Sequence, residues 1–433
     1  MSRHSAVTDH VTPYDRFCRS DAEVERLLLS GEQRQALEAY FGASEYRELA
    51  HLAGAAARRP IEEPLPHVFI VPGILGSQLG VRRRAPLPDD VLWLDPLDIQ
   101  SGRLALLNLD SGAPIVPLGA VLYSHLRLKL YLRARGFAVT LYDYDWRLDI
   151  ETSAAALAER LRAHAPGPAA IVAHSMGGLV SRIALGLPGT AHVERAVLLG
   201  TPNLGAFAPL QALRGSYAVV RNIARLDLQR NAEELATQVF NGFPSLYQML
   251  PGPGEGIDLL DRTQWPRFGP APRRDLLERA RGFLSGLPAP DGRFAAIAGV
   301  GHKTVTAASR RREGFVYTVT RGGDGTVPAL SAALRGADSY FAPVAHSDLT
   351  RDSRIAAAVV DLLRKGVTRR LPMRWASRGR AQARISDRRL YRLQTDKLDW
   401  ARMRPVDRQA FLQNLNEAPP LRLRLPVTRQ SRS

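Results

Sequence analysis

From His67 onward, short apolar runs alternate with longer stretches of helical period. HVFIVPG, FAVTLYDYD, AAIVAHS, RAVLLGTP, RFAAIAGV and GFVYTVT are continuous apolar runs, the pattern of strands covered on both faces. Between them, TSAAALAERLRAHA and GGLVSRIALGL have helical character, and DSRIAAAVVDLLRKG at 352–366 closes the series. This alternation predicts an α/β domain over 61–366, with a mostly parallel sheet and helices on both faces.

Upstream the rhythm is helical only. SDAEVERLLLS, from Ser20, opens with a capping residue and acids in the first turn, and GEQRQALEAYFG and SEYRELAHLAGAAARR continue in the same style,. A helical N-terminal extension is expected within 1–60, with residues 1–18 disordered, and Pro60, Pro64 and Pro66 mark its boundary,. Two stretches interrupt the α/β rhythm. Residues 82–122 are Pro- and Asp-rich and irregular, and 203–292 form an insertion between two strands, of a length that usually makes a cap or lid,. Within it Leu210, Leu213, Tyr217, Val220, Ala224 and Leu228 recur at three- and four-residue spacing, marking one face of a helix, with Arg214, Arg221 and Arg225 along one edge,. Two readings fit this stripe. It packs on the core, or it is a lid or interfacial helix near an acyl pocket, its arginines keeping their stems on apolar surface and their heads in water or among phosphates.

Charge changes the picture only at the end of the chain. The net charge of +17 over 433 residues looks at first like a nucleic-acid signal. It is carried by 55 arginines against 4 lysines, and residues 365–433 hold 18 basic and 5 acidic residues, a net +13 that leaves about +4 for the body,. In this tail, aromatics are sparse (Trp375, Tyr391, Trp400, Phe411), acids are interleaved and no nucleic-acid motif appears, which argues against a nucleic-acid partner,. The segments LYRLQ, LDWARM and RQAFLQNL predict partly helical structure in 367–433. The tail is therefore expected to dock on a neighbouring subunit, making a homo-oligomer, or to touch an anionic membrane. No apolar run is long enough to cross a bilayer, the start MSRHSAVTDH has no apolar leader core, and the single Cys18 excludes an internal disulfide,. These features predict a cytoplasmic protein whose membrane contact is peripheral.

The chemistry concentrates in four places. Ala173-His174-Ser175-Met176-Gly177-Gly178 follows the apolar run AAIV and precedes a helical stretch. A nucleophile on a sharp strand-to-helix turn needs small residues two positions before and after it. Ala173 and Gly177 meet that need. Val71-Pro72-Gly73-Ile74-Leu75-Gly76-Ser77 ends the first strand, where a loop can supply one N–H donor to an oxyanion; Ile74 is the first candidate and Leu75 the second,. The other donor is expected from Met176, after the nucleophile. Gly322-Gly323-Asp324-Gly325-Thr326 follows GFVYTVT, and His346, in PVAHSDL, comes 22 residues after Asp324. Ser175, Asp324 and His346 stand in the chain order of an α/β-hydrolase triad, with His346 as base and Asp324 fixing its tautomer. Asp348 is the competing acid, His302 is the other possible base, and His174 is expected to pack away from the site. No His/Cys spacing suggests a metal, and no cofactor is expected.

The motifs PGILGSQL, YDWRLD, AHSMGGLVSR, LGTPNLGA, FPSLYQMLP, GDGTVP and a late His resemble the lecithin:cholesterol acyltransferase family, which includes phospholipid:diacylglycerol acyltransferases and lysosomal phospholipase A-type enzymes. The resemblance spans roughly 67–350 and implies an α/β-hydrolase core with a cap and lid. It also implies an acyl-Ser175 intermediate whose acyl group, most simply that of a lipid or phospholipid ester, passes to water or to an alcohol. On the same basis Tyr144-Asp145-Trp146-Arg147 is structural or site-supporting. The N-terminal helices, the tail and the lack of disulfides depart from the family pattern. The alternative from another class is a non-catalytic interaction or scaffold protein on the same fold, since fold alone does not carry activity.

Overall fold

A computed structural model of the protein describes residues 19–253, 257–376, 382–393 and 396–415. The expected disorder of 1–18, and Cys18 with it, lies outside the described residues.

Three helices come first: α1 (Asp21–Ser30), α2 (Arg34–Phe41) and α3 (Ala43–Arg58). The Ser20 hydroxyl accepts from Glu23 N and caps α1,. Strand β1 (His67–Val71) then enters the core, while β2 (Ser77–Val81), β3 (Asp90–Trp93) and β4 (Ile115–Ala120) form a small antiparallel sheet around the short helix α4 (Pro96–Gln100). The Pro- and Asp-rich stretch read as irregular thus has its own sheet. Helix α5 (Leu122–Arg133) leads to β5 (Val139–Leu141), α6 (Ile150–Arg162) to β6 (Ala169–His174), and α7 (Met176–Gly186) to β7 (Val193–Leu199). Five short helices follow: α8 (Phe207–Leu213), α9 (Ala218–Leu226), α10 (Ala232–Gln238), α11 (Pro244–Gln248) and α12 (Arg274–Ala280). The chain continues through β8 (Phe294–Gly299), β9 (His302–Arg311), β10 (Gly314–Gly323), α13 (Ala329–Ala332), β11 (Asp338–Ala342) and α14 (Ser353–Lys365), and ends in β12 (Ala383–Ser386), α15 (Asp387–Tyr391) and α16 (Pro405–Gln413).

The central sheet has the order β11-β8-β7-β6-β1-β5, and every neighbouring pair is parallel. Alternation along each strand sends side chains to two cores. Val68 and Ile70 face α5 and α14, where Leu128, Leu132, Ile355 and Val359 are buried. Phe69 and Val71 face the other way, toward α6, α7 and the inserted helices. Burial on both faces is why these strands read as unbroken apolar runs. A parallel sheet wrapped in this manner, with a serine on the turn between β6 and α7, is the α/β-hydrolase fold.

Helix α5 is apolar on two sides for a reason. Leu128 and Leu132 meet the sheet, whereas Leu122, Leu126 and Leu130 meet Val24, Leu37, Phe41 and Leu49 of the N-terminal helices. Lys129 of α5 pairs with Asp21 at 2.7 Å and with Glu25, tying α1 to the core.

One expectation is corrected. GFVYTVT is not a strand of the central sheet: β10 pairs antiparallel with β9 and with β12 in a separate three-stranded sheet. Its Phe315, Tyr317 and Val319 are buried while Val316, Thr318 and Thr320 are less so, the period-two pattern of a strand with one covered face. The described part of the tail, expected to reach a neighbouring subunit or a membrane, folds back on its own chain. It contributes β12 to that sheet, and Lys397 Nζ donates to the carbonyls of Ala224 (2.8 Å) in the last turn of α9 and of Asp227 (2.5 Å) and Arg230 (2.6 Å) beyond it. No described helix is long and apolar enough to cross a membrane.

Candidate active site

Ser175 sits at φ 54° and ψ −127°, between the last residue of β6 and the first of α7. A side-chain-bearing residue pays strain at positive φ, so surrounding contacts must hold it there. Its N–H donates to Leu199 O at 2.8 Å, and its carbonyl accepts from Gly178 N at 3.0 Å. A side chain at Gly177 would run into the carbonyl oxygens of Val71 and Pro72, and one at Gly73 would reach within 2.7 Å of Ser175 Cβ. The elbow and the loop after β1 are thus in contact, and both sites require glycine.

Asp324 directly follows β10, and His346 opens a single 3-10 turn four residues after β11. The structure brings Ser175, His346 and Asp324 together. His346 Nδ1 lies 2.7 Å from Asp324 Oδ2, and His346 Nε2 lies 2.9 Å from Ser175 Oγ. Only an Nδ1–H tautomer satisfies both contacts: it donates to the carboxylate and leaves the Nε2 lone pair to accept from the serine hydroxyl. The other carboxylate oxygen, Oδ1, accepts from Thr326 N at 2.9 Å and Val327 N at 2.7 Å, so the acid cannot swing. His346 N also donates to Asp324 O at 2.9 Å. All three side chains are buried. Asp348, the competing acid, points away to Arg351 at 3.7 Å, and His302 lies at the start of β9.

His174 is closer to the site than expected. Its Nε2–H donates to His346 O at 3.0 Å, and the two rings are 4.7 Å apart. Burial, then the neighbouring His346 and His125, hold its pKa well below the ordinary imidazole value, so it is a neutral donor,. Burial also lowers His125, on α5, to about 4. The carbonyl that His174 holds belongs to a residue 172 positions away, so no local pattern announces this role.

The loop after β1 is fastened by aromatic donors. The Tyr144 hydroxyl donates to Pro72 O at 2.8 Å, Trp93 Nε1 to Leu75 O at 2.9 Å and Trp146 Nε1 to Ser77 O at 2.9 Å. The YDWR segment, read as structural or site-supporting, supplies the first and third of these donors, and Trp93 joins it unforeseen. Leu75 has φ 65°, and Gly73, Ile74, Leu75 and Gly76 line one cavity with Ser175 and His346. Met176 is fully buried at the start of α7.

The residues named for a lid are placed differently from each other. The expected continuous helix is broken between α8 and α9, where Gly215 has φ +71°. Leu210 and Leu213 are fully buried in the main core, whereas Tyr217 lines the cavity with Ala212, Val219 and Val220. Burial raises the Tyr217 pKa above the ordinary tyrosine value. Two of the three edge arginines, Arg214 and Arg221, do not face water or phosphate. Arg214 is fully buried, with Nε 3.0 Å from Asp387 Oδ2 and its other nitrogens on Phe268 O (2.8 Å) and Pro270 O. Arg221 is buried, which lowers its pKa to about 10, and Arg225 Nε donates to Asp396 O at 3.3 Å. The returning tail covers this edge, which is why it reads as surface in sequence and is interior in the fold. Among the described residues, no group of three His, Cys, Asp or Glu side chains is arranged to hold a metal.

The lecithin:cholesterol acyltransferase family model matches residues 133–267. That stretch contains Ser175 and the inserted helices α8 to α11 and stops short of α12, Asp324 and His346, and over it the chain is similar to the family. No curated protein matches the chain in sequence. Among solved structures, the chain is similar to the mature form of the Bacillus licheniformis lipase BlEst2, at 15% identity and TM-score 0.39, covering 71% of this chain and 94% of that one. It is also similar to a chain of the Tle4–Tli4 complex, at 17% identity and TM-score 0.41, covering 70% of this chain and 98% of that one.

Proposed function

We propose that the protein is a serine esterase of lipid-type acyl esters, working through an acyl-Ser175 intermediate. The observation that carries this reading is the unbroken chain Ser175 Oγ–His346 Nε2 (2.9 Å) and His346 Nδ1–Asp324 Oδ2 (2.7 Å), opening on a cavity walled by Leu94, Val219, Val220, Phe240 and Met249. Such walls suit a hydrocarbon chain, and a buried triad suits acyl transfer.

In the first half-reaction, Ser175 Oγ attacks the ester carbonyl carbon while its proton moves to His346 Nε2. The carbonyl oxygen takes up negative charge, which the backbone N–H groups of Ile74 and Met176 stabilise. Collapse of this intermediate breaks the carbon–alkoxide bond, and the departing oxygen takes the proton from Nε2. In the second half-reaction, water or an alcohol gives its proton to His346 and attacks the acyl carbon, and Ser175 regains a proton as it leaves. Water yields the acid and an alcohol yields a new ester. Asp324 keeps Nδ1 protonated throughout and stabilises the imidazolium that forms twice per cycle.

A burst assay with p-nitrophenyl esters of increasing chain length tests the reading. A burst in the wild type that vanishes in Ser175→Ala, with preference for long chains, is expected. Preference for acetate would remove the lipid assignment, and Ser175-independent turnover would remove the intermediate.

A further inference from the structure

The cavity that holds Ser175 is closed on one side by residues from outside the parallel-sheet core. Gln409, Leu412 and Gln413 of α16, with Leu415 just beyond it, line the cavity beside Tyr40 of α2 and Tyr123 of α5. Three hydrogen bonds hold this segment across the gap. Gln413 Nε2 donates to Phe41 O at 3.0 Å, the Tyr123 hydroxyl donates to Gln413 O at 3.4 Å, and Asn222 Nδ2 of α9 donates to Leu415 O at 3.0 Å. The segment therefore bridges α2, α5 and α9. Its two sides differ. Leu415 is buried and Leu412 is packed against the core, whereas Val406 on the outer side is 58% exposed.

We propose that this C-terminal segment determines which ester chains the site accepts, with Leu412 setting the limit; this rests on Ser175 being the nucleophile. The argument is one of surface chemistry and volume. Leu412 is an apolar side chain on a cavity wall flanked by the amides Gln409 and Gln413, so the part of a substrate that lies against it without losing hydrogen bonds is hydrocarbon. Each methylene newly buried there contributes roughly a fourfold preference, and two or three contribute tens-fold. A smaller residue at 412 makes room for that many, and a larger one removes it. The inserted helices supply the remaining apolar wall, so the acyl group is held between two segments that the Asn222–Leu415 hydrogen bond ties together.

The test measures kcat/KM for p-nitrophenyl acetate, octanoate and palmitate in the full-length protein and reads the palmitate-to-acetate ratio. Leu412→Ala and Leu412→Trp are expected to move this ratio in opposite directions, by about tenfold each. Val406→Trp, on the outer side of the same helix, is expected to leave it at the wild-type value. A ratio that stays put, or that moves alike in both Leu412 variants, while Ser175 still takes a fluorophosphonate label, overturns this inference and leaves the esterase reading standing. A wild-type protein that neither takes the label nor turns over any of the three esters overturns both.

Discussion

The two sides of the cavity are held in place by different means. On one side, Ser175 and Asp324 each directly follow a strand, and His346 follows β11 by four residues. Their side chains are fixed by backbone contacts such as Ser175 N to Leu199 O (2.8 Å) and Val327 N to Asp324 Oδ1 (2.7 Å). On the other side stand α8, α9 and the segment ending at Leu415, short helices joined by side-chain ties. The chief tie is Asp387, fully buried, which accepts from Arg214 (3.0 Å), Ser216 (3.2 Å), Phe315 N (3.1 Å) and Tyr317. The contrast has a physical logic. Acyl transfer tolerates displacements of well under an ångström, so its groups stand on rigid strand ends. A wall for hydrocarbon needs only shape, so it is built from pieces that a few side chains hold together.

If this division is right, substitutions on the two sides should fail differently. Asp324→Asn should leave the fold intact and lower kcat about 10⁴-fold, because the amide favours the wrong imidazole tautomer; steady-state kinetics with p-nitrophenyl butyrate beside a melting curve would measure both. Asp387→Ala should do the reverse. It leaves Arg214 buried without its carboxylate, at a cost of about 3–5 kcal/mol in stability, read by urea unfolding, while turnover per folded molecule changes little. A large kcat loss in Asp387→Ala at full stability would erase the distinction.

Acid should act on the histidines beside the triad, and also on His67 at the start of β1, whose pKa burial likewise lowers to about 4. His125 is held neutral by burial, its pKa lowered to about 4, and His174 is shifted in the same direction. The unfolded chain takes up these protons near pH 6.5 and the folded one does not. Stability is thus full above pH 6.5 and falls toward pH 4, by about 3 kcal/mol for His125 alone. Denaturant midpoints measured between pH 7 and 4.5 check this, and His125→Phe should flatten the slope. The smallest effect is expected from His174→Ala, which removes the donor to His346 O. A loss of about tenfold in kcat with little change in KM fits one hydrogen bond of about 1–1.5 kcal/mol, and His174→Gln, which keeps an N–H donor, should recover part of it.

The same contrast explains what was legible in the sequence. The elbow is a local constraint: the strand, Ala173, Ser175, Gly177 and the helix all lie within eighteen residues. The parallel sheet was legible because burial on both faces leaves unbroken apolar runs. Asp324 and His346 could be named because glycines surround one and chain order suggests the other. The wall was not legible. Arg214, Arg221 and Arg225 read as a surface edge because the segment that packs over them, burying the first two, lies more than 160 residues downstream. GFVYTVT reads as a central strand because one of its partners, Ala383–Ser386, shows no pattern of its own. His174 is silent in the sequence because its partner is a backbone carbonyl, which no side chain advertises.

The central claim, that Ser175 is the nucleophile of a buried triad serving an acyl pocket, is tested most directly by covalent labelling. The protein would be treated with a long-chain p-nitrophenyl alkylphosphonate and examined by intact and peptide mass spectrometry. The account predicts one adduct per chain, on the peptide bearing Ser175, formed quickly in the wild type, about 10³-fold or more slowly in His346→Ala, and not at all in Ser175→Ala. An adduct on another residue, or labelling of Ser175 at the same rate without His346, would contradict it.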